Sequence, residues 1–171
     1  MIIWLTGLAA SGKTTIGLEV VRLWKAEASN VVFMDGDEIR KVLQRDEGDN
    51  NYALEGRHQV ASRYTDICAW LDFQDIHVVC CAIAFFDDVR KRNRQTFSKY
   101  FEAYIDVPME TLYGRDTKNL YAPALRGEIK NVVGVDLILP PPESPDMVID
   151  NSMDGADISA IAADVLARAG A

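Results

Sequence analysis

The chain is most constrained near its beginning. The apolar run Ile2-Ile3-Trp4-Leu5 leads into Gly7-Leu8-Ala9-Ala10-Ser11-Gly12-Lys13-Thr14, and helically spaced apolar residues follow at Ile16, Val20, Val21, Leu23 and Trp24. Gly-x4-Gly-Lys-Thr between a strand and a helix makes a loop whose backbone N–H groups curl around a polyphosphate. The lysine then reaches the outer phosphates and the threonine hydroxyl faces magnesium. The helix aims its positive N-terminal end at the same anion. Glycines in such a place can also make an ordinary turn, but the strand–loop–helix setting favours nucleotide binding. The candidate nucleotide-binding residues are Gly7, Ala9, Ala10, Ser11, Gly12, Lys13, Thr14 and Thr15.

Further apolar runs at 31–34, 77–83, 104–107 and 147–149 alternate with helical periodicity at 14–28, 37–43, 57–74, 86–99, 109–115 and 157–168, which reads as a βαβ series. The runs at 31–34 and 78–83 are nearly continuous hydrophobic strings, as expected of parallel strands covered on both faces. The expected fold is α/β, a three-layer sandwich around a central parallel sheet, in one domain spanning 1–171. A 171-residue chain with 49% hydrophobic residues can bury one sizeable core. Ligands of such sheets sit beyond the carboxyl ends of the strands. Residues 135–145, rich in proline, predict an extended surface connection.

The formal net charge of -8 argues against a nucleic-acid-coating protein, so the nucleotide partner is expected to be small. Three cysteines, with Cys80 and Cys81 adjacent in an apolar run, predict reduced, buried thiols and a cytoplasmic location. No apolar stretch is long enough for a membrane span, and no export signal is evident.

Asp35-Gly36-Asp37 follows the second strand-like run, so its carboxylates emerge beside the phosphate loop. Asp37 could simply cap the next helix. The functional reading has one carboxylate orient an acceptor hydroxyl or take its proton while the other helps hold magnesium, which makes Asp37, Asp35 and Lys13 the catalytic candidates and Thr14 with Asp35 the metal candidates. Arg40 and Arg57 are candidate anion clamps, and Tyr52 could stack on a base. The glycine-containing basic stretch over about 115–135 reads as a lid that excludes water, with Arg115 and Lys118 touching charge. The basic run Arg90-Lys91-Arg92-Asn93-Arg94 is either a solvated helix face or phosphate-facing, and His58 and His77 are expected to be structural. The absence of Asn-Lys-x-Asp counts against a nucleotide-operated switch as the alternative to a small-molecule kinase.

Taken together, Gly-Leu-Ala-Ala-Ser-Gly-Lys-Thr-Thr at 7–15, Asp-Gly-Asp-Glu-Ile-Arg at 35–40, Arg-Asp-Thr-Lys-Asn-Leu-Tyr at 115–121 and Gly-Glu-Ile-Lys-Asn-Val-Val-Gly-Val-Asp at 127–136 closely resemble the adenylylsulfate kinase family. The resemblance runs in order from about residue 2 to Asn151. It implies a P-loop kinase fold, usually dimeric, that moves the γ-phosphoryl of ATP to the ribose 3′-hydroxyl of adenylylsulfate with magnesium. By the same resemblance Gly12, Lys13 and Thr14 hold ATP phosphates and magnesium, and Asp37 is the catalytic carboxylate. Arg40 and Arg57 match acceptor-binding arginines, Tyr52 an aromatic near the acceptor base, and Lys118, Leu120 and Lys130 the lid; Arg115 is grouped with the ATP residues. Val60 stands where the family typically has asparagine, and Val132 where it has a base-stacking aromatic. Both departures are expected in the acceptor-base pocket. Leu139-Pro140-Pro141 also replaces a Pro-Tyr-Glu segment. A related branch, cytidine diphosphoramidate kinase of capsule modification, is similar in the stretch 131–136 and would phosphorylate a cytidine nucleotide instead.

Overall fold

A computed structural model describes residues 1–45 and 47–171. Its centre is β1 (Ile2–Thr6), flanked in a five-stranded parallel sheet by β2 (Val31–Asp35), β3 (His77–Ala82), β4 (Tyr100–Asp106) and β5 (Met147–Asp150) in the order β2-β3-β1-β4-β5. Leu5 lies beside Cys81 of β3 on one side and Ala103 of β4 on the other. The two-residue period of a strand divides β1 between two cores. Ile3 and Leu5 pack with Ile16 and Val20 of α1 (Lys13–Trp24) and Ala162 and Val165 of α8 (Ile158–Ala169). Ile2 and Trp4 pack with Val60, Tyr64 and Cys68 of α4 (Leu54–Asp72). Each fully buried Leu or Ile here contributes roughly 1.5–3 kcal/mol of transfer free energy.

The remaining helices are short. They are α2 (Gly36–Val42), α3 (Asp49–Tyr52), α5 (Asp87–Thr96), α6 (Met109–Gly114) and α7 (Tyr121–Leu125). Close packing of α1 depends on Gly17, where a Cβ would stand 2.5 Å from the Cys81 thiol and 2.8 Å from the Phe33 ring. The Asp157 side chain caps α8 by accepting from the Ala160 N–H at 3.0 Å. Cys68, Cys80 and Cys81 are free and buried, one or other core covering each face of β3. Among the described residues no helix is long and apolar enough to cross a membrane.

Several elements differ from the sequence expectation. The helix expected over 86–99 ends at Thr96, and the strand expected at 104–107 begins at Tyr100. The cause is Glu102, which breaks the apolar run yet is fully buried in β4, its carboxylate taking Arg90 Nε at 2.6 Å and Arg94 at 3.3 Å. Arg94 also grips Asp146 at 3.1 Å, and Asp146 accepts from the Glu102 N–H at 2.8 Å, tying the proline-rich connection to the sheet. The basic run 90–94 is therefore neither a wholly solvated face nor a phosphate contact: Arg90 and Arg94 serve this network, and Arg92 pairs with Asp66 at 2.5 Å. A further difference is α7, a helix inside the segment expected to be a lid. Its Tyr121, Pro123 and Ala124 are buried.

Removing one partner of a buried ion pair strands the other charge in the core. Glu102→Ala is therefore expected to destabilise the fold by about 3–5 kcal/mol in urea titrations, whereas the double variant Arg90→Met/Glu102→Leu recovers most of that loss.

Candidate active site

Ala10 and Gly12 take left-handed backbone angles, φ 62° and 94°, and bend the 7–14 segment into a closed loop at the carboxyl end of β1. Two of its carbonyls are held by side chains from far along the chain: Tyr121 Oη donates to Ala9 O at 2.9 Å, and Asn151 Nδ2 donates to Ser11 O at 2.9 Å. Lys13 Nζ reaches across the loop to Leu8 O at 2.6 Å. Burial pulls the Lys13 ammonium down to about 8, against the pull of nearby Asp37 and Asp35.

Asp35 joins the loop to α2. Its Oδ1 caps the helix by accepting from the Asp37 N–H at 2.9 Å, and its Oδ2 accepts from Thr14 Oγ1 at 2.7 Å. The capping role considered for Asp37 thus belongs to Asp35, which leaves the Asp37 carboxylate open to the cavity. There Asp37 Oδ2 meets Lys118 Nζ in an ion pair. Burial opposes ionisation of Asp37, but Lys118, with Lys13 and Arg40, outweighs it and holds the carboxyl below its ordinary range. The same contact raises Lys118.

Opposite the loop, the Arg40 and Arg57 guanidiniums both stand over the Tyr52 ring, 4.8 and 5.4 Å from its centroid. Arg57 Nε donates to Tyr52 O at 2.7 Å, and its other arm donates to Asn131 O at 2.8 Å. Burial, then the charge of Arg40, presses the Arg57 guanidinium down to about 10, still cationic at neutral pH. Two crowded guanidiniums favour an anion between them. Tyr64, absent from the sequence expectations, fixes the start of α2 by donating to Gly36 O at 2.6 Å.

These groups share a cavity of 1030 Å³. Its walls include Ala9, Ala10, Gly12, Lys13, Thr14 and Thr15 from the loop, Asp35, Asp37 and Arg40 from the β2–α2 rim, and Tyr52 and Arg57 from the facing side. Lys118, Leu120, Lys130 and Val132 close it from the 115–135 segment. Gly7 and Ser11 are buried beneath the loop and do not line it. Val60 is a correction: it lies in the α4-side core rather than on the wall, whereas Val132 is on the wall. Arg115 lines both this cavity and a neighbouring one of 320 Å³ beside residues 151–156. Its guanidinium is engaged by Asn151 O at 2.6 Å, Ser152 O at 3.2 Å and Asp154 at 2.8 Å. His58 pairs with Asp88 at 2.7 Å and His77 stacks on Trp24, both outside the cavity.

The family model for adenylylsulphate kinase matches residues 1–150. The chain belongs to the adenylylsulphate kinase family. Cytidine diphosphoramidate kinase of Campylobacter jejuni is 42% identical over 88% of this chain and 86% of its own length. Adenylyl-sulfate kinase of Halothermothrix orenii is 34% identical over 92% of this chain and 84% of its own. Among solved structures, the Mycobacterium tuberculosis APS kinase in complex with AMPPNP and APS is 28% identical, covers 99% of this chain and 97% of its own, and gives a TM-score of 0.84. As a member of the adenylylsulphate kinase family the chain has the P-loop NTPase fold and is an ATP-using phosphotransferase of the nucleotide-kinase kind.

The sequence reading missed Asn151 and the anchoring use of Tyr121. Tyr121 closed a motif quoted for the resemblance, and Asn151 stands just past β5 at the rim where ligands of parallel sheets gather, a signal that the reading did not use.

Burial is already the largest single influence on Asp37, and with the Lys118 ammonium removed only Lys13 and Arg40 oppose it. In Lys118→Met the Asp37 carboxyl is expected to titrate at higher pH than in the wild type, followed by carboxyl-carbon NMR; an unmoved titration would remove this ion pair from the site.

Proposed function

We propose that this protein transfers the γ-phosphoryl of ATP to the ribose 3′-hydroxyl of cytidine diphosphoramidate. The observation that carries the choice of acceptor is the higher identity to the Campylobacter jejuni kinase of that name, 42% against 34% for the Halothermothrix orenii adenylyl-sulfate kinase. Val132 supports it, since a wall without a stacking ring gives up a contact worth about 0.5–1.5 kcal/mol, which a purine uses more fully than a pyrimidine.

In this proposal the loop amides and Lys13 hold the ATP phosphates, while Arg40 and Arg57 hold the anionic end of the acceptor. Magnesium suits Thr14 and Asp35, whose hard oxygens already stand 2.7 Å apart at the rim, and when bound it neutralises charge on the phosphates. The acceptor hydroxyl displaces Lys118 from Asp37, and the freed ammonium moves to the γ-phosphoryl. Asp37, losing its strongest ionising partner, becomes a better base at the moment it is needed. The 3′-oxygen forms a bond to γ-phosphorus, the bond from γ-phosphorus to the bridging oxygen breaks, ADP leaves, and the hydroxyl proton passes to Asp37. In a loose transition state this proton moves late, so Asp37 acts mainly by orienting the nucleophile. Residues 115–135 serve as the lid, with α7 as its fixed point.

The test is magnesium-dependent ADP release with product identification, using cytidine diphosphoramidate, adenylylsulfate or no acceptor. Stimulation by the cytidine compound is the expected outcome. Stimulation by adenylylsulfate alone would give the site to the second reading, favoured by the overall likeness to the Mycobacterium tuberculosis APS kinase, and silence with both would reject each. Asp37→Asn is expected to lower kcat about 10²–10⁴-fold with ATP affinity nearly unchanged.

Lys13 adds a pH dependence. Its empty-site value of about 8 lies below that of a lysine facing phosphates, so ATP binds best with the proton on. Affinity for AMPPNP is therefore expected to fall as pH rises above 8, by at most about tenfold per unit, with proton uptake visible in calorimetry across buffers of different ionisation heat. Lys13→Met should bind weakly and without that slope.

A further inference from the structure

The link between Asn151 and the phosphate loop spans 140 residues of sequence and joins a residue just past β5 to a residue two positions before α1. Asn151 is 7% exposed and Ser11 1%. The Ser11 hydroxyl has no hydrogen-bond partner among the described residues, and the Ser11 N–H makes a long bond of 3.3 Å to Leu8 O. The firm polar hold on Ser11 is thus through its carbonyl, at 2.9 Å from Asn151 Nδ2.

That carbonyl belongs to the peptide unit that carries the Gly12 N–H. A trans peptide is planar, and its C=O and N–H point in opposite directions. Fixing Ser11 O outward on Asn151 therefore aims the Gly12 N–H the other way, into the loop where a phosphate would be gripped. Gly12 has φ +94°, and a Cβ on it would stand 2.6 Å from Asn151 Nδ2, so the glycine also makes room for the amide that holds its own peptide. Asn151 has a second link, because its main-chain oxygen accepts from Arg115 at 2.6 Å at the start of the 115–135 segment.

We infer that Asn151 is a positioning residue for phosphoryl transfer: its side-chain amide sets the Ser11–Gly12 peptide for the ATP phosphates, and its backbone ties that setting to Arg115. It touches the loop's carbonyl side, so it acts through Gly12 and not on the reacting atoms. The inference rests on the reading of residues 7–14 as the ATP-phosphate site.

Asn151→Asp keeps the shape and replaces the N–H donor with an oxygen that repels Ser11 O and any bound phosphate, while Asn151→Ala removes the group. AMPPNP affinity by calorimetry, the KM values for ATP and for acceptor, kcat and the thermal midpoint are measured for both variants and the wild type. The expected result is AMPPNP binding weakened about tenfold or more in Asn151→Asp and several-fold in Asn151→Ala, with KM for ATP rising in step and acceptor KM within twofold of the wild type. AMPPNP binding within twofold of the wild type in a folded Asn151→Asp would overturn the inference, as would acceptor KM rising in parallel with ATP KM. Should Asn151→Ala fail to fold, the isosteric aspartate carries the test. In nucleotide-free protein the Gly12 amide resonance is expected to shift and its hydrogen exchange to quicken in Asn151→Asp, and an unmoved resonance would count against the inference. If the wild type binds no AMPPNP while Gly12 responds in this way, the positioning stands and the assignment of the loop to ATP falls.

Discussion

β1 exposes none of its five residues to water, so each of its backbone polar groups must find a partner in the flanking strands β3 and β4. That requirement ends abruptly past Thr6, where the ladder stops and the chain must turn. The turn is where the left-handed Ala10 and Gly12 curl the loop and where α1 starts. The loop is thus set on the central, fully buried strand of the sheet. Asp35, at the end of β2, and Asn151, one residue past the end of β5, reach it from the two sheet edges. The geometry of the site follows from strands ending at one rim, with long-range side chains completing what the loop cannot supply for itself.

Electrostatically, the cavity is an exception on its own molecule. A chain of net charge -8 gathers Lys13, Arg40, Arg57, Lys118 and Lys130 around one space. Four carboxylates, Asp35, Asp37, Asp116 and Glu128, face these cations on the same wall, and Asp37 is held ionised by its cationic neighbours. Such concentration within acidic surroundings focuses anionic ligands on the cleft while leaving nucleic acid poorly served elsewhere on the surface. The buried network of Glu102, Arg90 and Arg94 shows the same residue types in another role, holding a connection to the sheet with no part in the cavity.

Much of this was legible in the sequence, for identifiable reasons. The phosphate loop, the Asp-Gly-Asp rim and the five-strand alternation are local patterns, and local patterns survive in a one-dimensional reading. The start of β4 was hidden because a buried Glu102 looks like a surface residue until Arg90 and Arg94 are seen beside it. Val60 was expected in the cavity that its near neighbour Arg57 lines but lies in the core, since one helix turn does not fix which face meets ligand and which meets core. The Asn151 and Tyr121 contacts join positions 140 and 112 residues apart, and no periodicity encodes those pairings.

The Cys81 thiol lies wedged between sheet and helix. It is 2% exposed, donates to Lys13 O at 3.2 Å, and stands where even a methyl group on Gly17 would collide with it. Burial pushes its ionisation upward, so it rests as an unreactive thiol. Helix α1 carries Lys13 and Thr14 on its first turn, and the thiol reaches that turn through the Lys13 carbonyl. The first turn of the helix that follows the phosphate loop is thereby pinned to β3 by a sulfur donor as well as by apolar packing.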